Sequence, residues 1–281
     1  MSDQLDLRSR QPRLLRNGRA VAGLAILACV LLAALLAPWL APHDPLAQDL
    51  LARRQPPSAQ HLLGLDELGR DNLSRILYGA RLSLRVGVTA VLIAVTSGGL
   101  LGALAGYRGG WLDSLAMSLM DVMQAFPTLL LAMVVIVILG RGLTHVVYAV
   151  AIAAIPTYAR LMRVGVLAAR ERDYVLAARA IGVPAGRLLG RHILPACLSP
   201  LLAQGTLGVG TAILEAAGLS FLGLGAQPPT PEWGAMLGQG RGAIFAAPHI
   251  VLFPGLALMV TVLGFTLLGD GLQEVLDTRS R

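Results

Sequence analysis

Long runs of apolar residues, separated by short arginine-rich segments, dominate the sequence. A membrane-spanning helix needs about 20 mainly apolar residues, and six runs approach or exceed that length. They cover residues 20–41, 86–107, 114–139, 143–159, 193–214 and 242–269, and the last helix is expected to begin near His249. The pattern predicts an all-α polytopic membrane protein with six transmembrane helices and both chain ends on the same side.

The composition agrees with a membrane protein. Of the 281 residues, 55% are hydrophobic and only 14% are charged, whereas soluble domains carry about 25% charged residues. All 23 basic residues are arginines. The Walker A loop of a P-loop ATPase needs a lysine on the nucleotide phosphates, so we predict that this chain has no ATPase site of its own and is not an enzyme.

The chain shows no pattern typical of a nucleic-acid or metal-binding protein. The formal net charge is +7, but the arginines flank apolar runs and form no soluble basic face, so no nucleic-acid partner is predicted. Cys29 and Cys197 lie far apart within apolar runs, and no zinc-type Cys/His spacing is present. We therefore predict no metal and no cofactor bound by this chain.

The distribution of arginines predicts the orientation in the membrane. The tails at 1–19 and 272–281, the short 107–114 connection and the loop at 160–195 hold about twice as many arginines as the opposite loops. Cytoplasmic loops are enriched in Lys and Arg, so both termini and the 160–195 loop are expected in the cytoplasm. The first apolar run, 20–41, exceeds the 7–15 residues of a signal-peptide core and is expected to stay as a transmembrane helix.

The segment at 42–81 is polar and is expected outside the membrane, before a five-helix core at 82–271. At its end, four apolar residues share one helical face beside Asn72, Ser74 and Arg75: Leu73, Ile76, Leu77 and Ala80. This spacing predicts a short helix that either lies in the membrane interface or packs on the bundle.

Small residues and prolines within the runs predict how the helices pack. Gly98, Gly102 and Gly106 recur at every fourth position, which lets a neighbouring helix approach closely in lipid. Prolines at 127, 156 and 254 remove a helix hydrogen bond and predict bends.

Two acids, Asp121 and Glu215, fall inside predicted spans. An acid at the bilayer centre costs about 2.5–3.5 kcal/mol on insertion scales. Both are therefore expected to face the protein interior or a water-filled path. Either they contact the transported solute or they hydrogen-bond a neighbouring helix.

The 160–195 loop carries the clearest functional pattern. Asp173 is a candidate N-cap, Gly182 a C-cap, and Pro184 can open a second helix that ends at Pro195. The residues Tyr174, Ala177, Ala178 and Ile181 recur at helical spacing. The loop is predicted to form two short helices with a sharp corner, and the alanine-rich face suits docking in a partner's groove. A basic anchor on anionic lipid is the alternative.

This loop resembles the EAA loop of ABC importer permeases. Ala177, Ala178, Gly182, Leu194 and Pro195 match that motif at the family spacing, whereas Leu176 stands where the glutamate usually lies. Five further segments, at 61–71, 105–113, 218–225, 227–234 and 267–272, are similar to the C-type permease subunit of dipeptide, oligopeptide and nickel importers. The resemblance thus covers most of the chain.

The resemblance implies a type I ABC importer permease fold in a bacterial inner membrane. It implies a heterodimer with a second permease, two cytoplasmic ATP-binding subunits that use Mg-ATP, and an external solute-binding protein. Peptides are the expected substrate, with nickel or another small solute as the alternative. The residues expected to couple to the ATPase are Tyr174, Leu176, Ala177, Ala178, Ile181, Gly182, Leu194 and Pro195. In this family an acid lies four residues before the serine that matches Ser220. Glu215 lies five residues before it, so no family role is carried over to Glu215.

Two function classes remain as alternatives at this point. An ion-coupled secondary transporter would use intramembrane acids for coupling. An intramembrane serine hydrolase would use Ser220, in a short Gly-x-Ser pattern, with His249 as its base.

Overall fold

A computed structural model describes residues 17–277. Within that range the regular secondary structure is helical. The α-helices are α1 (Gly18–Leu35), α2 (Ala37–Leu40), α3 (Asn72–Arg108), α4 (Gly110–Gln124), α5 (Thr128–Leu139), α6 (Leu143–Arg170), α7 (Asp173–Ala180), α8 (Ala185–Arg187), α9 (Leu194–Phe221), α10 (Trp233–Gly240) and α11 (His249–Asp277). Most of the two predicted tails, residues 1–16 and 278–281, lies outside the described range.

The helices agree with the predicted all-α membrane protein. Five of the described helices or helical runs are long and apolar enough to cross a membrane. The third predicted span, 114–139, is broken, because α4 and α5 meet at an angle of 95° around Pro127. A proline disfavours helical geometry in the residue before it, so the expected bend is a complete interruption of the helix. Counted as one crossing, the bent pair brings the number to six.

Residues 72–81 do not form a separate interfacial helix. They are the first turns of α3, which runs for 37 residues and is about 55 Å long at 1.5 Å per residue. The polar residues Asn72, Ser74 and Arg75 are fully buried, whereas the predicted apolar stripe is mostly half-buried. The polar face is the more deeply buried because the preceding segment folds over it and hydrogen-bonds to it.

Three other helices differ from the predicted spans mainly at their ends. The helix α6 continues past the predicted end at 159 to Arg170, and α9 extends from Leu194 to Phe221. The last span begins at His249, as predicted, and continues to Asp277. Pro156 and Pro254 lie inside α6 and α11, and neither ends its helix.

The two ends of the bundle are unlike. At one end, residues 41–71 and 222–248 fold together into a cap. Arg70 Nη2 donates to Gln239 Oε1 at 2.8 Å, and Trp233 Nε1 donates to the carbonyl of Ile76 at 3.1 Å. The opposite end, called the loop end, carries residues 171–193. The described chain ends also meet away from the cap, where Asn17 Nδ2 donates to Glu274 Oε2 at 2.9 Å.

The helices α3 and α6 pack backbone to backbone in the centre of the bundle. A Cβ added at Gly98, Gly102 or Gly106 would lie 2.6, 2.0 or 3.0 Å from the carbonyl oxygen of Ile155, Ala159 or Arg163, respectively. The three glycines and their three partners both repeat every fourth residue, so each turn of α3 meets one turn of α6. The glycine row thus sets the distance between these two helices.

Candidate coupling helix at the loop end

The helix α7 is a two-turn helix with a well-defined end. Its N-cap is Arg172 rather than the predicted Asp173, which lies in the first turn, where a carboxylate interacts favourably with the helix dipole. At the other end Gly182 N donates to the Arg179 carbonyl at 3.0 Å, and Val183 N donates to the Ala178 carbonyl at 3.1 Å. These two bonds form a Schellman motif.

Gly182 makes the corner after α7, in the position that the sequence predicted for it. Its φ of 81° lies in the left-handed region, which costs residues with a Cβ about 1–2 kcal/mol. A Cβ at this position would meet nothing within 4 Å. The glycine is therefore required by the backbone conformation and not by lack of space.

The second helix of the loop differs from its prediction. It begins after Pro184, whose carbonyl accepts from Leu188 N at 2.9 Å, but it does not end at Pro195. The helix α8, a π-helical segment (Leu188–Ile193) and α9 follow one another without a break to Phe221. Pro195 lies in the first turn of α9 and is exposed, whereas Leu194 is half-buried.

One side of α7 is part of the core of the bundle. Val175 is fully buried and Ala178 is 8% exposed. Both belong to one continuous hydrophobic core with Val166 on α6 and Cys197 on α9. The prediction that Ala178 shares the docking face is therefore wrong, because its methyl group packs into the bundle. The two residues anchor α7 to the helices before and after the loop.

The remaining surface of α7 is apolar and exposed. Four apolar residues of α7 and its C-cap are exposed there, Tyr174, Leu176, Ala177 and Ile181, which we call the apolar patch. Ile181 is 83% exposed, and the Tyr174 hydroxyl donates to the His192 carbonyl at 3.3 Å. The same loop carries four exposed arginines, at positions 172, 179, 187 and 191. An exposed apolar surface with a polar rim is typical of a protein interface.

Ion pairs connect α4 to α6 near the loop end. Arg163 Nη2 donates to Asp113 Oδ2 at 2.6 Å, and the same guanidinium also reaches Oδ1. Asp121, predicted to face the interior, is instead exposed on this chain and pairs with Arg160. The Asp113–Arg163 pair could not be predicted from the sequence, since nothing in the pattern links two residues so far apart.

Glu215 is half-buried on α9, beside Thr128. Thr128 is the first residue of α5, directly after the break in the third span. The N-terminus of a helix carries a partial positive charge, so this contact places the acid at a favourable end of the broken helix. Glu215 therefore contacts a neighbouring helix, one of the two roles considered for it.

Ser220 and His249 are held by different partners. The Ser220 hydroxyl accepts from Ala226 N at 3.3 Å, whereas His249 Nε2 contacts the Leu65 carbonyl at 3.2 Å. Both side chains are buried and serve as connections within the cap. A hydrolase would need the histidine within hydrogen-bond distance of the serine hydroxyl.

Among the described residues, the side chains with metal-binding geometry are His43, His61 and Asp71 in the cap.

Comparison with known proteins agrees with this architecture. Residues 98–281 match the family model of the inner membrane component of binding-protein-dependent transport systems. Residues 10–57 match the N-terminal transmembrane domain of oligopeptide transport permease C. The structure is similar to an inward-facing methionine ABC transporter with a TM-score of 0.58 and 20% identity, covering 72% of this chain and 96% of that chain.

Curated relatives match nearly the whole chain. A dipeptide transport system permease protein of Alkalihalophilus pseudofirmus is 47% identical over 269 residues, covering 96% of this chain and 88% of the relative. A di/tripeptide transport system permease protein of Pseudomonas aeruginosa is also 47% identical, with 94% and 89% covered. A glutathione transport system permease protein of Escherichia coli is 47% identical, with 95% and 88% covered. The chain therefore belongs to the family of inner-membrane permease components of binding-protein-dependent ABC importers.

Proposed function

We propose that this chain forms one half of the translocation path of an ATP-driven importer of short peptides. The other half is a second permease subunit. Two cytoplasmic subunits supply Mg-ATP hydrolysis, and a solute-binding protein delivers the peptide from outside. The family's dependence on a binding protein and the peptide substrates in the relatives' names support this proposal.

The positive-inside rule places the loop end in the cytoplasm. The described arginines concentrate there, on the last turns of α6 and in the loop that follows. The described chain ends lie at this same end, so both termini are cytoplasmic in the proposal. The cap then lies outside, where it meets the binding protein.

The observation that carries the coupling function is the division of α7 into two sides. Val175 and Ala178 are packed into the core of the bundle, while the apolar patch is exposed. Protein cores are close-packed and transmit strain. A displacement of the patch by an ATP-binding subunit therefore moves α6 and α9, between which the loop is held. Repeated closure and opening of the ATPases shifts the bundle between inward-facing and outward-facing states.

The residues of the apolar patch and its loop indicate the chemistry of the partner's surface. Leu176 occupies the position where the family motif has a glutamate and is 41% exposed. We infer that an apolar contact, rather than a salt bridge, forms at this position. The four exposed arginines of the loop favour acidic residues on the partner's surface, because opposite charges steer association and fix its register. A lipid anchor would need the arginines but not the shape of the patch.

Reconstitution tests the proposed function. The complex of this chain with its co-purifying subunits and binding protein is placed in proteoliposomes, and uptake of labelled di- and tripeptides and of Ni²⁺ is measured with and without ATP. We expect peptide uptake that requires ATP. Uptake of Ni²⁺ but not of peptide would overturn the proposal that peptides are the substrate. Uptake by this chain in an ion gradient, without any ATPase subunit, would overturn the coupling mechanism in favour of secondary transport.

A further inference from the structure

Two histidines and one aspartate from separate parts of the cap meet at the N-terminus of α3. His61 Nδ1 lies 3.0 Å from Asp71 Oδ1, and His43 Nδ1 lies 3.7 Å from the same oxygen. The two imidazole rings are 4.5 Å apart between centroids and inclined by 34°. One ligand atom from each side chain falls within 4.8 Å of the other two. Three donors therefore converge on a volume the size of a single ion.

The carboxylate is held with one oxygen turned toward the histidines. Asp71 is the N-cap of α3, and its Oδ2 accepts from the backbone N and the hydroxyl of Ser74, both at 2.8 Å. The Ser74 hydroxyl also accepts from His43 N at 3.2 Å. Ser74 thus orients the Asp71 carboxylate and holds the backbone of His43. Supporting hydrogen bonds of this kind are characteristic of metal sites, where they orient the ligands.

The donor set and the access to it indicate the type of ion. Two imidazole nitrogens with one carboxylate oxygen suit Zn²⁺ and related first-row transition metals, whereas Ca²⁺ takes six to eight oxygen ligands. The Asp71 side chain is 1% exposed, but that of His43 is 40% exposed and lines an open cleft of about 620 Å³ with Asp44, Tyr78 and Pro231. The cleft leaves a direction from which water or another ligand can complete a tetrahedral site.

We propose that His43, His61 and Asp71 bind one divalent transition-metal ion of the Zn²⁺ class. The bound ion connects the segment after α2, the loop before α3 and the N-cap of α3. These segments also meet through the Asp66–Arg75 ion pair and several hydrogen bonds, and the ion adds a further connection between the cap and α3. The site lies at the end opposite α7 and is independent of ATPase coupling.

The simpler explanation is a hydrogen bond between His61 and Asp71 with no role for a metal. The two explanations differ in their dependence on added metal. A hydrogen bond stabilises the protein equally in the presence and absence of Zn²⁺. A metal site makes the protein more stable as the Zn²⁺ concentration rises, since an ion that binds only the folded state shifts the unfolding equilibrium.

The experiment uses the full-length chain in its purified complex, without a polyhistidine tag and after treatment with a chelator. Co²⁺ is titrated as a spectroscopic probe and displaced with Zn²⁺. We expect about one Co²⁺ per chain with the absorption of a tetrahedral N/O site. The variants His43→Gln and His61→Gln are expected to weaken binding by at least about tenfold, which is the loss seen even for supporting residues. Asp71→Asn is avoided because it also changes the helix cap.

His145→Gln provides the matched control. His145 is half-buried, lies near the same end of the bundle and is outside the cluster, so this variant should bind Co²⁺ as the wild type does. Thermal unfolding with and without Zn²⁺ gives a second measurement, in which only wild type and His145→Gln should gain stability. The proposal is overturned if wild type shows no tetrahedral Co²⁺ spectrum, or if both cluster variants bind and respond like wild type.

Discussion

Gly102 on α3 lies so close to Ala159 on α6 that a Cβ at Gly102 would be 2.0 Å from the Ala159 carbonyl oxygen. No side chain can move aside to relieve this contact, because the atom in question belongs to a helix backbone. The two helices must separate to admit even one methyl group. This close contact fixes the position of α6, which leads directly into the loop at 171–193.

The first prediction follows from this contact. Gly102→Ala should destabilise the protein by about 1–3 kcal/mol, the usual range for overpacking a core. Gly99→Ala is the matched control, because a Cβ there would meet only the ends of Met162 and Leu201, at 3.6 and 3.7 Å. Thermal unfolding of the purified variants in detergent measures the difference. Equal unfolding temperatures for the two variants would contradict the proposed packing.

The second prediction concerns the apolar patch. Ala177→Glu should abolish or strongly reduce uptake, because it places a charge in the proposed contact with the ATP-binding subunit. Ala177 is exposed, so the variant should insert and fold normally. ATPase activity and peptide uptake are measured in proteoliposomes. Ala185→Glu adds the same charge to an exposed residue of the same loop and should leave uptake close to wild type; comparable losses in both variants would argue against a local docking surface.

The third prediction concerns the corner after α7. Gly182→Val should impair uptake, since the left-handed φ of 81° is strained for a β-branched residue. Gly182→Asn should retain most of the activity, because asparagine tolerates this region. Hydrogen exchange of α7 provides the structural measurement, with faster exchange expected in the valine variant. If asparagine and valine impair uptake to the same extent, the glycine has a role other than its backbone conformation.

The fourth prediction concerns pH and the cap. Glu232 caps α10 by accepting from Gly234 N and Ala235 N, both at 2.9 Å. Burial raises the pKa of its carboxyl group, against the opposing effect of these hydrogen bonds. Between the unfolded and folded pKa values, the folded state holds the proton more tightly than the unfolded state does. The contribution of this group to the free energy of unfolding therefore falls as pH rises through that interval.

Glu232→Gln removes this titration and supplies the comparison. The unfolding temperature of wild type relative to Glu232→Gln should be highest at acidic pH, below the ordinary pKa of a glutamate, and should decrease as pH rises above it. The measurement is thermal unfolding of both proteins across a pH series in the same detergent. A difference that stays constant with pH would mean that Glu232 has the same pKa in both states.

Local chemistry explains which features were visible in the sequence. The Gly182 corner was predictable because a helix end that needs a positive φ selects glycine. The glycine row on α3 was predictable as a packing surface because residues four apart share one face of a helix. The start of the last span at His249 was predictable because it follows Pro248, directly after a loop.

Other features depend on which segments meet in space. The stripe at 73–80 suggested a separate surface helix, but the cap covers the polar face of the same turns. Ala178 was assigned to the docking face from its spacing, and only the bundle packed behind α7 makes that side the buried one. The partners of Asp113 and Asp121 lie on α6, far along the chain, and no periodicity connects them.

The amino-acid sequence alone determined the class of protein, the number of spans, the corner of the coupling loop and the family resemblance. Each of these depends on runs, spacings and residue types within one short segment, where backbone geometry and transfer from water to lipid act directly. The tertiary structure decided which side of α7 is exposed and how sharply the third span is bent. It also decided which distant side chains form ion pairs or the proposed metal-binding cluster. Those outcomes depend on contacts between segments, whose energies come from packing and burial in three dimensions.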